Sequence, residues 1–276
     1  EINANTGGIN CGVEVFDRAD STEEFQAMFS VRGKALYTKM DFLFKMIGEI
    51  LNSSKLEDTK RLYEIVASVK SRAQVNLTGA GHSTAVLRAA AYSSPMAAFQ
   101  DEMAGIGYYQ FIEKLEKDFE QRKEETVEEL CKLMKKILRP ENFMISYTGE
   151  RESLETVQKL AGAVKAGLGT EPVEKSKEKL TCTKKNEGFK TSGQVQYVAQ
   201  TGNFKKKGLE YTGALEILKV ILSYDYLWMN LRVKGGAYGC MSSFLRTGDS
   251  YFVSYRDPNL AKTNAVYEKI PEYVAS

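Results

Sequence analysis

Apolar and polar residues alternate along INCGVEVF, residues 9–16, the period-two pattern of a half-buried strand. A second strand-like run, FQAMFSVRGKALY at 25–37, follows the polar link DRADSTEE. The period then changes. From about Thr38 to Asn52 the residues Phe42, Met46 and Ile50 recur every fourth position and share one helix face. Residues 57–77 continue in helical style, with Leu62, Ile65, Val66 and Val69 apolar, and a further helix is expected to begin in GAGHSTAVLRAAAY after a glycine-rich break. Helical patterning dominates 108–138, in two pieces, where Glu113 and Lys117 can pair one turn apart. Pro140 ends that run. NFMISYTG at 142–149 reads as a strand and 151–166 as a helix. Residues 167–188 lose apolar periodicity and gather Gly, Pro, Lys and Glu, the composition of a linker. Beyond it the pattern predicts a strand at 194–201, a helix at 209–230, strands GCMSSFLR and SYFVSYR, and a last helix from about Leu260.

This order of elements predicts an α+β fold: two related domains of mainly antiparallel sheet with helices on one face. The first domain is expected over 1–170 with a long helical insertion, then a linker at 171–188, then the second domain at 189–276. Two places share an order of elements. Gly7-Gly8 and Gly235-Gly236 each precede strand, polar turn, strand and amphipathic helix. If these are repeats, both copies are incomplete, so the chain is expected to be an internal piece of a longer protein, truncated at both ends. The first residue, Glu1 rather than Met, points the same way.

Charge and composition narrow the function. Apolar residues make up 43% and the net charge is +2, so no basic excess marks a nucleic-acid partner. No apolar run approaches the ~20 residues of a membrane span, and no membrane partner is expected. The 4 cysteines, Cys11, Cys131, Cys182 and Cys240, are far apart and read as free thiols in a reducing compartment. A bacterial-type cytoplasmic location is the default reading, with a mitochondrial matrix or plastid as the alternative. There is 1 histidine, His82. A site needing two imidazoles cannot be built, so no catalytic metal site is expected in this chain. His82 reads as a helix-start or packing residue. GAGHST carries Thr84 where a dinucleotide-binding fingerprint needs its third small residue, and no nucleophile elbow is present. Trp228, Tyr224 and Tyr226 read as core or helix-surface residues.

One corner stands apart. RVKGGAYG, 232–239, joins a predicted helix to a predicted strand, and YRDPN follows at 255–259. A glycine pair at such a corner is most simply a turn, and Arg256 and Asp257 suit either substrate contact or a turn that starts a helix. With TGGI at 6–9, GKAL at 33–36, KSR at 70–72 and GH at 81–82, these motifs give the chain a resemblance over nearly its whole length. It resembles the carboxy-terminal half of the presequence-protease (falcilysin-like) branch of the pitrilysin-type, inverted-motif zinc metallopeptidases. The resemblance implies a non-catalytic, substrate-binding half of an endopeptidase that degrades unfolded oligopeptides in a closed chamber. It implies zinc in the full enzyme, held by an amino-terminal half that this chain lacks. It implies that Arg232 and Tyr238 complete the active site, and that Arg232, Gly235, Gly236, Ala237 and Tyr238 bind substrate. Its implied partners are the zinc-bearing half and an unfolded peptide. The alternative is a catalytically silent, peptidase-like scaffold or assembly subunit.

Overall fold

Strands β1 (Ile9–Asp17) and β2 (Phe25–Gly33) pair as a hairpin, though Val13 and Phe16 stay exposed on it. They open a computed structural model that describes residues 1–18, 20–173, 180, 182–191 and 193–276. The chain packs into two compact units. One is built from Glu1–Glu14, Ala27–Ala67 and the chain from Leu115 into the predicted linker. The other is built from Val15–Gln26, Ser68–Lys114 and the chain from the linker to Ser276. Packing groups residues by contact rather than by descent, so the related domains at 1–170 and 189–276 remain a proposal. Residues 174–179 and 181 of the predicted linker lie outside the described residues.

In the first unit, helix Met40–Ser53 buries Met40 and Leu43 and packs on helix Leu154–Ala166. The latter buries Val157, Ala161 and Val164, one stripe of its surface. Phe119, at the start of helix Phe119–Ile137, is 1% exposed and meets the Tyr63 ring at 5.4 Å.

The second unit holds β3 (Ala199–Asn203), β4 (Gly239–Phe244) and β5 (Asp249–Tyr255) in the antiparallel order β3-β5-β4. Residue alternation divides the two faces. Cys240, Phe244 and Phe252 pack against a core of Val198, Leu222, Leu227, Leu231, Ala237, Tyr267 and Ile270. Met241, Tyr251 and Val253 line a cavity of about 330 Å³ shared with His82 and residues of helices Gly81–Ala90 and Pro95–Ala104. Helices therefore cover both faces of this sheet, not the one face expected, because both of its faces carry apolar side chains that need cover; the class is α+β with small antiparallel sheets, as expected.

Several boundaries differ from the sequence reading. Residues 142–149 form no strand: Pro140–Asn142 is a 3₁₀ turn and the following residues find no ladder partner among the described residues. A strand needs a neighbouring edge as well as an apolar run, and here Met144 is left 70% exposed. The second strand stops at Gly33 instead of continuing to Tyr37, and Leu43 packs against Gly33 so closely that a Cβ there would lie 2.6 Å from its side chain. The ladder expected at 194–201 begins only at Ala199. Upstream, Ser254 Oγ accepts from the Val198 N–H at 3.4 Å and the Tyr267 hydroxyl donates to the Val198 carbonyl at 3.0 Å. The helix expected at 209–230 begins at Ala214, and past Ile221 it widens into two π-helical stretches, Leu222–Tyr226 and Trp228–Val233. Asn230 Nδ2 donates to the Tyr226 carbonyl at 2.8 Å within this widened run.

Candidate functional site

The π-helical stretch Trp228–Val233 ends at a glycine cap. Gly236 takes φ +81, the left-handed conformation that only glycine adopts without cost. The Gly236 N–H donates to the Arg232 carbonyl at 3.0 Å, and the Ala237 N–H donates to the Leu231 carbonyl at 2.9 Å. This is the bracketing pair of a Schellman cap, each bond one residue wider, as the π-helix requires. Gly235 is needed for space. A Cβ there would lie 2.5 Å from the Leu231 carbonyl oxygen and 2.8 Å from that of Asn230.

The two motifs that stand apart in the sequence meet at this corner. Gly239 pairs with Tyr255 across the β4–β5 ladder. The Tyr238 N–H donates to the carbonyls of Tyr255 at 3.0 Å and Arg256 at 3.3 Å. Asn259 Nδ2 donates to the Gly235 carbonyl at 2.7 Å. The turn is itself anchored. Asp257 is 1% exposed; its carboxylate accepts from the Asn259 N–H at 2.8 Å and from the Thr263 hydroxyl at 2.6 Å. Arg256 sits at φ 49, a strained position for a residue with a side chain, and its guanidinium lies 5.5 Å from the Tyr255 ring. Asp257 is thus a builder of the turn.

The N–H groups of Gly236, Ala237 and Tyr238 are all used inside the corner. Tyr238 is 65% exposed and Arg232 is exposed beside it, its guanidinium 5.8 Å from the Tyr238 ring centre. On its other side the guanidinium lies 4.1 Å from the ring centre of Trp228. Among the described residues no carboxylate pairs with Arg232. It is positioned by two π-faces, which leaves its planar fork of N–H donors open to a ligand. Burial pushes the Cys240 thiol up to about 11, with the Arg232 charge pulling the other way.

The structure therefore brings Arg232, Gly235, Gly236 and Tyr238 together at one exposed edge, with Ala237 buried beneath them. Trp228 and Tyr255 belong to the same place and were not singled out for it in the sequence. For Trp228 a signal existed: an aromatic residue four positions before an arginine. For Tyr255 none did, because the hairpin decides the contact. His82 lies behind Tyr255, ring centres 4.9 Å apart in edge-on geometry. Its Nδ1 is buried without a hydrogen-bond partner among the described residues. Gly81 makes the approach possible, since a Cβ there would fall 2.3 Å from the Tyr197 ring. No group of three His, Cys, Asp or Glu side chains among the described residues is placed to hold a metal ion.

Comparison with known proteins agrees with the motifs. Residues 1–115 match the family model for the associated region of peptidase family M16, subfamily C, and residues 186–275 match the PreP C-terminal domain. Protein HypA of Clostridium perfringens is 37% identical over 273 residues, covering 99% of this chain and 28% of that protein. Presequence protease 1, chloroplastic/mitochondrial, of Arabidopsis thaliana is 28% identical over 99% of this chain, which covers 26% of the plant protein. The mitochondrial presequence protease of Yarrowia lipolytica is 28% identical, again over 99% of this chain and 28% of its own length. The chain matches part of the carboxy-terminal half of presequence-protease-like M16 peptidases. It spans between 26% and 28% of the length of these relatives. No helix among the described residues is long and apolar enough to cross a membrane.

Proposed function

We propose that this chain is the non-catalytic, substrate-clamping half of a zinc metalloendopeptidase that degrades unfolded oligopeptides in a closed chamber. The observation that supports it most is the exposed pairing of Arg232 and Tyr238, held by aromatic rings and free of carboxylates among the described residues. With 1 histidine in the sequence, this chain cannot build a two-imidazole zinc site. In this reading the catalytic zinc belongs to another part of the complete polypeptide.

The chemistry assigned to this chain is binding and charge stabilisation. The Tyr238 O–H donates to the oxygen of a peptide carbonyl as that oxygen gains negative charge, without offering a competing nucleophile. The Arg232 fork grips a neighbouring backbone carbonyl. The glycine cap keeps side-chain bulk away from the line of an extended peptide. The partners in this reading are the zinc-bearing half and the unfolded peptide, and the compartment is that of a bacterial cytoplasm.

The test is cleavage of a quenched fluorescent peptide by the complete polypeptide, with and without Tyr238→Phe. Removing one such donor is expected to lower kcat roughly 10²–10³-fold with no loss of folding, because the phenol is exposed. Unchanged kcat would sink the clamp reading and favour a silent, peptidase-like scaffold.

A further inference from the structure

The exposed phenol of Tyr238 poses a problem of placement. Its backbone is fixed by the Tyr255 and Arg256 carbonyls, yet its ring stands 65% in solvent. A donor that must meet a developing charge loses most of its effect when it is misplaced by about 1 Å. We infer that Tyr255, seated on His82 and Tyr197, is the positioning residue that holds the Tyr238 ring in line for substrate. This rests on the role proposed for Tyr238 above.

The geometry supplies the support in layers. The Tyr255 ring meets the Tyr238 ring edge-to-face, centres 5.8 Å apart and planes at 71°. With Arg232 on another side at 5.8 Å, Tyr238 has a neighbour in two directions. Tyr255 cannot drift easily. It is the last residue of β5, hydrogen-bonded in register with Gly239, and the chain turns at once through Arg256 at φ 49. Behind it His82 presents an edge contact at 4.9 Å and 80°, and Tyr197 a tilted one at 5.7 Å and 45°. His82 and Tyr197 also face each other, centres 6.4 Å apart. Aromatic pairs prefer such edge and tilted arrangements, and each fixes the orientation of the next.

The row His82, Tyr255, Tyr238, Arg232, Trp228 runs from the start of a helix to the exposed corner, inside one compact unit.

Two measurements test this. In the complete polypeptide, Tyr255→Leu is expected to lower kcat by roughly 10²-fold while KM stays near its original value, and Tyr255→Phe, which keeps the ring, restores kcat. In the 276-residue chain with ¹³C-labelled tyrosine rings, the Tyr238 resonance is identified by its loss in Tyr238→Phe. Tyr255→Leu should move it toward the position of a freely rotating tyrosine, and Tyr255→Phe should leave it in place. If Tyr255→Leu does not fold, His82→Leu decides the matter from the far side of the row. A loss of kcat with a shifted Tyr238 line supports the inference, and unchanged kcat and line overturn it. If Tyr238→Phe is damaging but Tyr255→Leu is not, the positioning role is wrong and the clamp stands. If Tyr238→Phe is itself harmless, the clamp fails first.

Discussion

Trp228 carries the Arg232 guanidinium at 4.1 Å, and it is the 1 tryptophan in the sequence. In this 276-residue chain its fluorescence therefore reports on the corner alone. Peptide binding is expected to change that emission, and Arg232→Ala should abolish the change. Trp228→Leu removes a cation–π contact of about 0.5–1 kcal/mol, so KM should rise roughly two- to fivefold with kcat little altered. A drop in kcat instead would mean that Trp228 shapes the reacting geometry. Cys240 gives a pH signature. Burial raises its thiol from 9.0 to about 11, so between those values the unfolded chain loses a proton that the folded chain keeps. Stability should fall as pH climbs through that window. The fall should be shallower in Cys240→Ala, as read from urea unfolding midpoints.

At the scale of elements, the corner is a joint between a π-widened helix and a hairpin. Gly236→Ala forces a side chain into the left-handed region at φ +81 and should cost about 1–2 kcal/mol. Gly235→Ala places a Cβ against backbone carbonyls that cannot step aside, so its cost should exceed about 1 kcal/mol. Asp257→Ala leaves the Thr263 hydroxyl and the Asn259 N–H without their shared acceptor, in a buried turn, and should cost about 1–3 kcal/mol. Chemical denaturation measures all three. If Asp257→Ala leaves stability untouched while cutting activity, the carboxylate acts on substrate and is not the builder described above. Much of this joint was readable in advance. The glycine pair announced a turn, and the helix, strand and strand around it were placed close to where they occur. The π-widening was not readable, because the apolar spacing of 209–230 suits an α-helix and a π-helix alike. Nor was the contact between GGAY and YRDPN, which exists because β4 and β5 pair in one register.

For the whole molecule, the chain covers just over a quarter of its relatives, and the proposed activity needs the rest. A chelator should therefore stop peptide cleavage by the complete polypeptide while leaving the thermal melt of this 276-residue chain unmoved. A melt that falls on chelation would reveal a metal within this chain. At this scale the sequence read best where local period and long motifs agreed, as for the helix pairs of 40–79 and the hairpin of 9–33. It read worst at 142–149, where an apolar run needed a partner strand that local composition cannot supply.

The sequence by itself determined the α+β class, the glycine corner and the absence of a two-histidine centre, because period, backbone permissiveness and residue inventory are local properties. It also carried the family resemblance, through motifs spread along the whole chain. Only the tertiary structure decided that Arg232 rests on Trp228, that Asp257 ties down its own turn, and that Tyr238 leans on Tyr255 and His82. Those contacts join residues as distant in the chain as His82 and Tyr255, and strand register and helix packing set such distances rather than any property of the residues taken in order.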